Sequence, residues 1–226
     1  MSTLSTILRR IRATPAPVVI FDLDSTVFDT GSRNLGLVRQ WAGAGLWAER
    51  AAAMTAEEFG WDAAAPLISR GASAEEVADF RTYWRAHFFT DDAVVLDTPA
   101  PGSAAFVREV HSDGAHVVYL TGRHVGGMEI GTVKALTRHG YPMWRPRVSV
   151  VLKPNFHLDD KRFKAMTLPE IGGLGTVVAT FDNEPGNCNA FQAQWPDALN
   201  VLFGSVCSPE AETPDPALIR LATFER

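Results

Sequence analysis

The sequence predicts an α/β fold: a parallel sheet with helices on both faces and a small α-helical cap inserted after the first strand. Three observations predict it. Short, mostly apolar runs recur at 18–21, 117–120, 148–152, 177–181 and 199–203, the first of them continuous and rich in β-branched residues. Such runs mark strands buried on both faces, as in parallel sheets. Helical stretches separate the later runs and stop at glycine: 101–112 before Gly114, 128–139 before Gly140, and 163–171 before Gly172 and Gly173. Alternation of this kind builds βαβ units. The third observation is an interruption, since residues 31–90 hold no convincing strand.

Taken in order, the chain opens with Leu4, Ile7, Leu8 and Ile11 at helical spacing, a short amphipathic lead-in helix. Arginines interrupt it, and the apolar run at 18–21 is too short for a signal-peptide core or a membrane span. The expectation is a cytoplasmic protein. In the insertion, Thr55 to Glu58 and Ser73 to Glu76 both form capping-box patterns that open helices. Val77, Phe80, Trp84 and Phe88 then recur at helical spacing. The domain division expected is 1–30 with 91–226 as the core, and 31–90 as the cap. The tail beyond Pro209, with Pro214 and Pro216, reads as a surface-hugging end.

Composition narrows the function. The 226 residues are 46% hydrophobic and 21% charged, ordinary for one globular α/β domain with an insertion, and the net charge is −5. That sign argues against a dedicated nucleic-acid binder. Cys188 and Cys207 form no CxxC pair, which makes a disulfide framework or zinc site an unsuitable reading.

Four elements carry chemistry, each at the C-terminal end of an expected strand, where open α/β sheets place ligands. Asp22 and Asp24, in the run Asp22-Leu-Asp-Ser-Thr26, follow the first strand. Paired carboxylates raise each other's pKa unless a cation or proton sits between them. A divalent metal satisfies them, one carboxylate can attack phosphorus, and the other can serve as acid and base. Thr121, Gly122 and Arg123 follow the second run and can cradle a phosphate oxygen, with Arg123 gripping the ester or a second anionic group. A lysine is needed to offset the charge of carboxylate and phosphate as they approach. Asp182, followed by Asn183, closes the fourth run and can complete an oxygen shell for magnesium.

In order and spacing these residues resemble the four motifs of the haloacid dehalogenase superfamily. The resemblance spans residues 18 to 187 and implies a Rossmann-like sheet, a magnesium ion and an aspartyl-phosphate intermediate. It implies Asp22 as nucleophile and metal ligand. Asp24 would be the acid/base and a ligand through its backbone carbonyl, Thr121 and the lysine would hold the phosphoryl oxygens, and Asp182 would be a further ligand. Asp24 points to a phosphatase, because the superfamily's dehalogenases lack it. The fourth motif departs from the common pattern: Asn183, Gly186 and Asn187 stand where many members place a second acid. Asn183 can still hold a metal-bound water. The helical insertion looks like the superfamily's first-position cap.

The expected activity is magnesium-dependent hydrolysis of a small phosphate monoester. The alternatives are transfer of the phosphoryl group to an acceptor other than water, or a binding domain that has lost turnover. Among three candidate lysines, Lys164 is placed first. It shares a helical face with Leu168 and Ile171 and lies eighteen residues before Asp182, a separation similar to that in related phosphatases. Lys161 is second and Lys153 third. Trp41, Trp47, Trp61 and Trp84 lie in the cap with Arg33, Arg50, Arg81 and Arg85. An aromatic, cationic substrate pocket is one reading; the simpler one is that a small helical cap needs large residues to form any core.

Overall fold

The computed structural model describes residues 2–226. The N-terminal apolar spacing folds as α1 (Thr3–Ala13), capped by the Ser2 side chain, with Leu4, Ile7, Leu8 and Ile11 all buried. Next comes β1 (Pro17–Phe21), buried along its whole length. Then follow β2 (Phe28–Asp29), α2 (Gly31–Ala42), α3 (Leu46–Ala52), a 3-10 turn at Ala56–Glu58, α4 (Ala65–Ser69), α5 (Ala74–His87), α6 (Asp91–Val94) and β3 (Thr98–Pro99). The rest alternates: α7 (Ser103–Ser112), β4 (His116–His124), α8 (Glu129–Arg138), β5 (Val148–Lys153), α9 (Asp160–Gly172), β6 (Thr176–Asp182), α10 (Pro185–Gln194), β7 (Leu199–Phe203) and β8 (Ile219–Leu221).

The main sheet runs β5-β4-β1-β6-β7-β8 with every pair parallel. It is the α/β fold the apolar runs predict. Alternation along the strands divides the core in two. Val19, Phe21, Val117, Tyr119, Ala179 and Phe181 pack under α1 and α7; Val18, Ile20, Val118, Leu120 and Val177 pack under α9 and α10. The chain leaves β1 for β4 and β5 on one side and returns to β6 and β7 on the other. The strand order therefore reverses beside β1, which opens a crevice at the C-terminal ends of β1 and β6.

Residues 35 to 80 supply a second, separate hydrophobic cluster built on Leu35, Val38, Phe59, Leu67, Val77 and Phe80, with Trp41, Trp47 and Trp84 packed against it. The insertion thus has its own small core. No described helix is long and apolar enough to cross a membrane.

Three local expectations are corrected, and one short pair is added. The Thr55 capping box forms, but it opens only the 3-10 turn, because Phe59 turns into the cap core and Gly60 follows. Strand β4 does not end before Thr121; it continues to His124, which pairs with Lys153 of β5, and α8 begins only at Glu129. The tail does more than lie on the surface: β8 pairs with β7, and Phe224 is buried against Phe106, Phe181 and Phe203. The two-residue antiparallel pair β2–β3, too short to leave an alternation pattern, ties the start of the insertion to its return.

Candidate active site

Strand register assembles the site. Phe21 pairs with Tyr119 on one side and Phe181 on the other, and the Phe21 and Phe181 rings stack at 4.8 Å. The next residues, Asp22 and Asp182, therefore leave neighbouring strands side by side, and the Asp22 N–H donates to the Phe181 carbonyl at 2.9 Å. Helix α9 supplies the cation. Asp159 caps it by accepting from the Arg162 N–H at 2.8 Å, and Phe163, Leu168 and Ile171 seat it on the sheet. Lys164 then reaches the strand ends: its Nζ donates to Asp22 Oδ1 and to Asp182 Oδ2, each at 2.6 Å. Lys153 instead donates to Asp160 at 2.5 Å, and Lys161 pairs with Glu212 at the surface.

The remaining partners hold these groups still. The Thr26 hydroxyl lies 3.1 Å from Asp22 Oδ2 and 3.3 Å from Asn183 Oδ1. Asn187 Nδ2 donates to both Asp182 oxygens, at 3.1 and 3.2 Å, and the Glu184 N–H donates to Asp182 Oδ1 at 2.9 Å. The Glu184 side chain turns away to accept from the Ser208 N–H. Thr121 is fully buried and its Oγ1 accepts from the Arg123 N–H at 3.2 Å, while Gly122 lines the cavity. A Cβ on Gly122 would fall 2.2 Å from Asp160 Oδ2, so any other residue there would displace that carboxylate.

Asp24 and Arg123 depart from their expected roles. Ser25 adopts φ 57°, in the left-handed region, and the turn it makes carries Asp24 away from Asp22. Asp24 Oδ1 accepts from Arg33 Nη2 at 2.5 Å and from Arg123 Nη2 at 2.7 Å. Both guanidiniums also bind Asp97, at 2.5 and 2.7 Å. Arg33 stands on α2, and Asp97 lies just before β3, where the chain returns from the cap. These two residues and Arg123 are buried, so the cluster joins both cap connections to the core. Arg123 therefore grips two carboxylates of the protein itself. Among the described residues no three His, Cys, Asp or Glu side chains gather into a group able to hold a metal ion, because Asp24 points elsewhere. Asp97 escaped sequence reasoning because it belongs to no motif and gains meaning only from the approach of two distant arginines. Removing one partner of a buried charge cluster costs about 3 kcal/mol. Arg33→Met should accordingly lower Tm by roughly 10 °C in thermal melts; an unchanged Tm would show the cluster to be dispensable.

Burial dominates the electrostatics. It pushes the Asp22 carboxyl up to about 7, with Asp182 adding to the rise and the Lys164 ammonium opposing it. Burial also disfavours the Lys164 ammonium, but Asp182 and Asp22 outweigh it and hold the group above the ordinary lysine range. Burial alone would raise Asp24; Arg123 and Arg33 overcome it and hold the carboxyl well below its usual value. These directions fix a pH dependence. Asp22 binds its proton more tightly folded than unfolded, so its contribution to stability falls as pH rises from about 4 to 7. The Asp24 contribution is already complete across that window, and Lys164 stays charged. The Tm of metal-free protein should fall between pH 5 and pH 8, and Asp22→Asn should make that slope shallower. Parallel slopes for the two proteins would contradict it.

No protein-family profile and no curated protein matches the sequence. Solved structures do match the fold. A haloacid dehalogenase-like protein from Burkholderia xenovorans LB400 superposes with a TM-score of 0.54 at 15% identity, covering 92% of this chain and 93% of that one. Protein Tyrosine Kinase A of Mycobacterium tuberculosis gives 0.54 at 14% identity, covering 93% and 94%. A predicted phosphatase from Clostridium acetobutylicum gives 0.50 at 10% identity, covering 87% and 88%. The chain has the haloacid dehalogenase-like fold.

In this haloacid dehalogenase-like fold the carboxylates open into a cavity of about 310 Å³ between core and cap. Asp22, Asp182 and Lys164 form its floor, and the cap residues Trp61, Trp84 and Phe88 stand on its walls.

Proposed function

We propose that this protein is a magnesium-dependent phosphomonoester hydrolase that works through a phosphoryl group carried on Asp22. One observation carries the reading: Lys164 bridges Asp22 and Asp182 at the point where the strand order reverses, on the floor of a cavity. In this reading Asp22 attacks phosphorus through the oxygen that Lys164 does not hold, the bond to the leaving oxygen breaks, and an acyl phosphate forms. Lys164 offsets the phosphoryl charge, and water then splits the acyl phosphate to release inorganic phosphate and restore the carboxylate.

The donor set fits magnesium. Asp22 and Asp182 offer carboxylate oxygens, Asp24 a backbone carbonyl and Asn183 an amide oxygen, all hard ligands with no sulfur or imidazole among them. Two buried carboxylates beside one ammonium also leave a net negative charge that a cation balances. When bound, the ion neutralises phosphoryl and carboxylate charge during attack. Asp24 lines the cavity but is held ionised against Arg33 and Arg123. To protonate the leaving oxygen it must leave them and take up a proton from solvent, and in the second step the carboxylate so freed takes a proton from the attacking water.

Hydrolysis of acetyl phosphate and of a simple alkyl phosphate tests the reading, with inorganic phosphate measured without any added acceptor so that hydrolysis is separated from transfer. Chelator-treated protein should be inactive and should regain turnover with Mg²⁺. Full activity in excess chelator would defeat the magnesium assignment, and absence of phosphate release from every ester would defeat the phosphatase reading.

A further inference from the structure

We infer that the cavity selects a phosphate monoester whose alcohol carries a planar, neutral heteroaromatic ring, placed against the exposed cap residue Trp61 and read by Asn34. The inference rests on the phosphatase reading for its phosphate but on separate residues for its ring.

The cap's large side chains fall into two groups. Trp41 and Trp47 pack on each other at 5.8 Å, and Trp41 packs on Phe80 at 5.4 Å, so both belong to the cap's own core. Trp61 does not: it is 59% exposed and absent from that core, yet it borders the cavity. Trp84, which packs against the cap core and stacks on Phe88 at 4.5 Å, borders it too with Phe88 and Phe89, and Met128 is contributed from the core domain. A solvent-facing tryptophan beside further aromatic rings, over a charged floor, suits a flat ring that stacks. The volume of about 310 Å³ lies at the small end for ligand cavities, enough for one ring on a short linker.

Asn34 adds polarity to the ring. The Trp84 indole N–H, which can only donate, binds Asn34 Oδ1 at 2.8 Å and so fixes which end of the amide faces it. Asn34 Nδ2 has no protein acceptor, and it is not among the sealed, unpartnered side-chain atoms, so it opens on the cavity that Asn34 lines. An oriented amide donor recognises a ring nitrogen or ring carbonyl.

Charge sets the rest of the class. The cap arginines Arg33, Arg50, Arg81 and Arg85 do not line the cavity. Arg33 binds Asp24 and Asp97, Arg81 pairs with Asp62, and Arg50 lies over Trp47. No cap arginine is therefore placed to grip a second anionic group there, and the substrate carries one phosphate.

Matched pairs test the proposal on the same primary-alcohol ester linkage: adenosine 5′-monophosphate against ribose 5-phosphate, and uridine 5′-monophosphate against the same control. In each pair kcat/KM should be at least about tenfold higher for the ring-bearing ester, and Trp61→Ala and Asn34→Leu should bring the ratio toward one. Trp61 lies outside the cap core, so its variant should fold. A second measurement needs no turnover: adenosine should quench tryptophan fluorescence saturably in the wild-type protein, ribose should not, and Trp61→Ala should weaken the effect. A ratio near one, or no saturable quenching by either nucleoside, overturns the proposal while hydrolysis of acetyl phosphate leaves the phosphatase reading standing. If no ester turns over, the fluorescence experiment alone decides whether the ring site exists.

Discussion

Asp22→Asn should abolish phosphate release, lowering kcat by at least about a thousandfold, while the protein stays folded. The amide is nearly the same shape and can still accept from Lys164 at the position of Oδ1. Its Nδ2 would replace the Oδ2 that contacts Thr26, and the hydroxyl can accept that N–H as readily as it donated to the carboxylate. What disappears is the nucleophile, because an amide oxygen does not form a stable acyl phosphate and no other carboxylate on the floor has a free path to replace it. Asp182 has both oxygens bonded by Lys164, Asn187 and the Glu184 N–H, and Asp24 is turned to the arginines. The change also removes a buried ionisable group, so the variant should melt no lower than wild type above pH 7. Steady-state hydrolysis with circular dichroism checks both halves. A folded Asp22→Asn protein with wild-type turnover would remove Asp22 from the mechanism.

Lys164→Met should lower kcat/KM by roughly a hundredfold or more. Methionine fills similar volume but leaves Asp22 and Asp182 facing each other without a cation. The same substitution should cost stability, because two buried carboxylates then lack their partner. A fall in Tm of about 10 °C in metal-free protein is expected, with Mg²⁺ restoring more of it than in wild type. Lys161→Met serves as the control: its ammonium pairs with Glu212 at the surface and should change kcat/KM by less than about twofold. Lys153→Met should lie between them, since its partner Asp160 borders the cavity but is not on its floor. If Lys164→Met turned over normally and either other variant were dead, the charge assignment on the floor would be wrong.

The sheet was legible because parallel strands buried on both faces are mostly apolar, and glycines mark where the intervening helices stop. Lys164 was legible for a related reason. Its helix shows an acid cap at Asp159 and apolar contacts at Leu168 and Ile171, which place the lysine between helix and sheet before any coordinates are known. The short elements were not legible: β2, β3 and β8 hold two or three residues each, and pairing with a neighbour, not their own pattern, makes them strands. The run of Thr121 to Arg123 misled for the same reason, since Thr121 and His124 on either side of it pair with β5 and carry the strand through an irregularity where composition suggests a turn.

By itself, then, the sequence determined the α/β class, the strand ends that carry Asp22 and Asp182, and the lysine that faces them, because local periodicity and strand length encode all three. Only the tertiary structure decided where Asp24 and Arg123 point. Their partners, Arg33 and Asp97, come from the two connections of the inserted cap, nine and seventy-three residues beyond Asp24 in the chain. A charge buried by folding takes whichever opposite charge the fold brings within hydrogen-bond reach, and that proximity across the chain leaves no trace in local pattern.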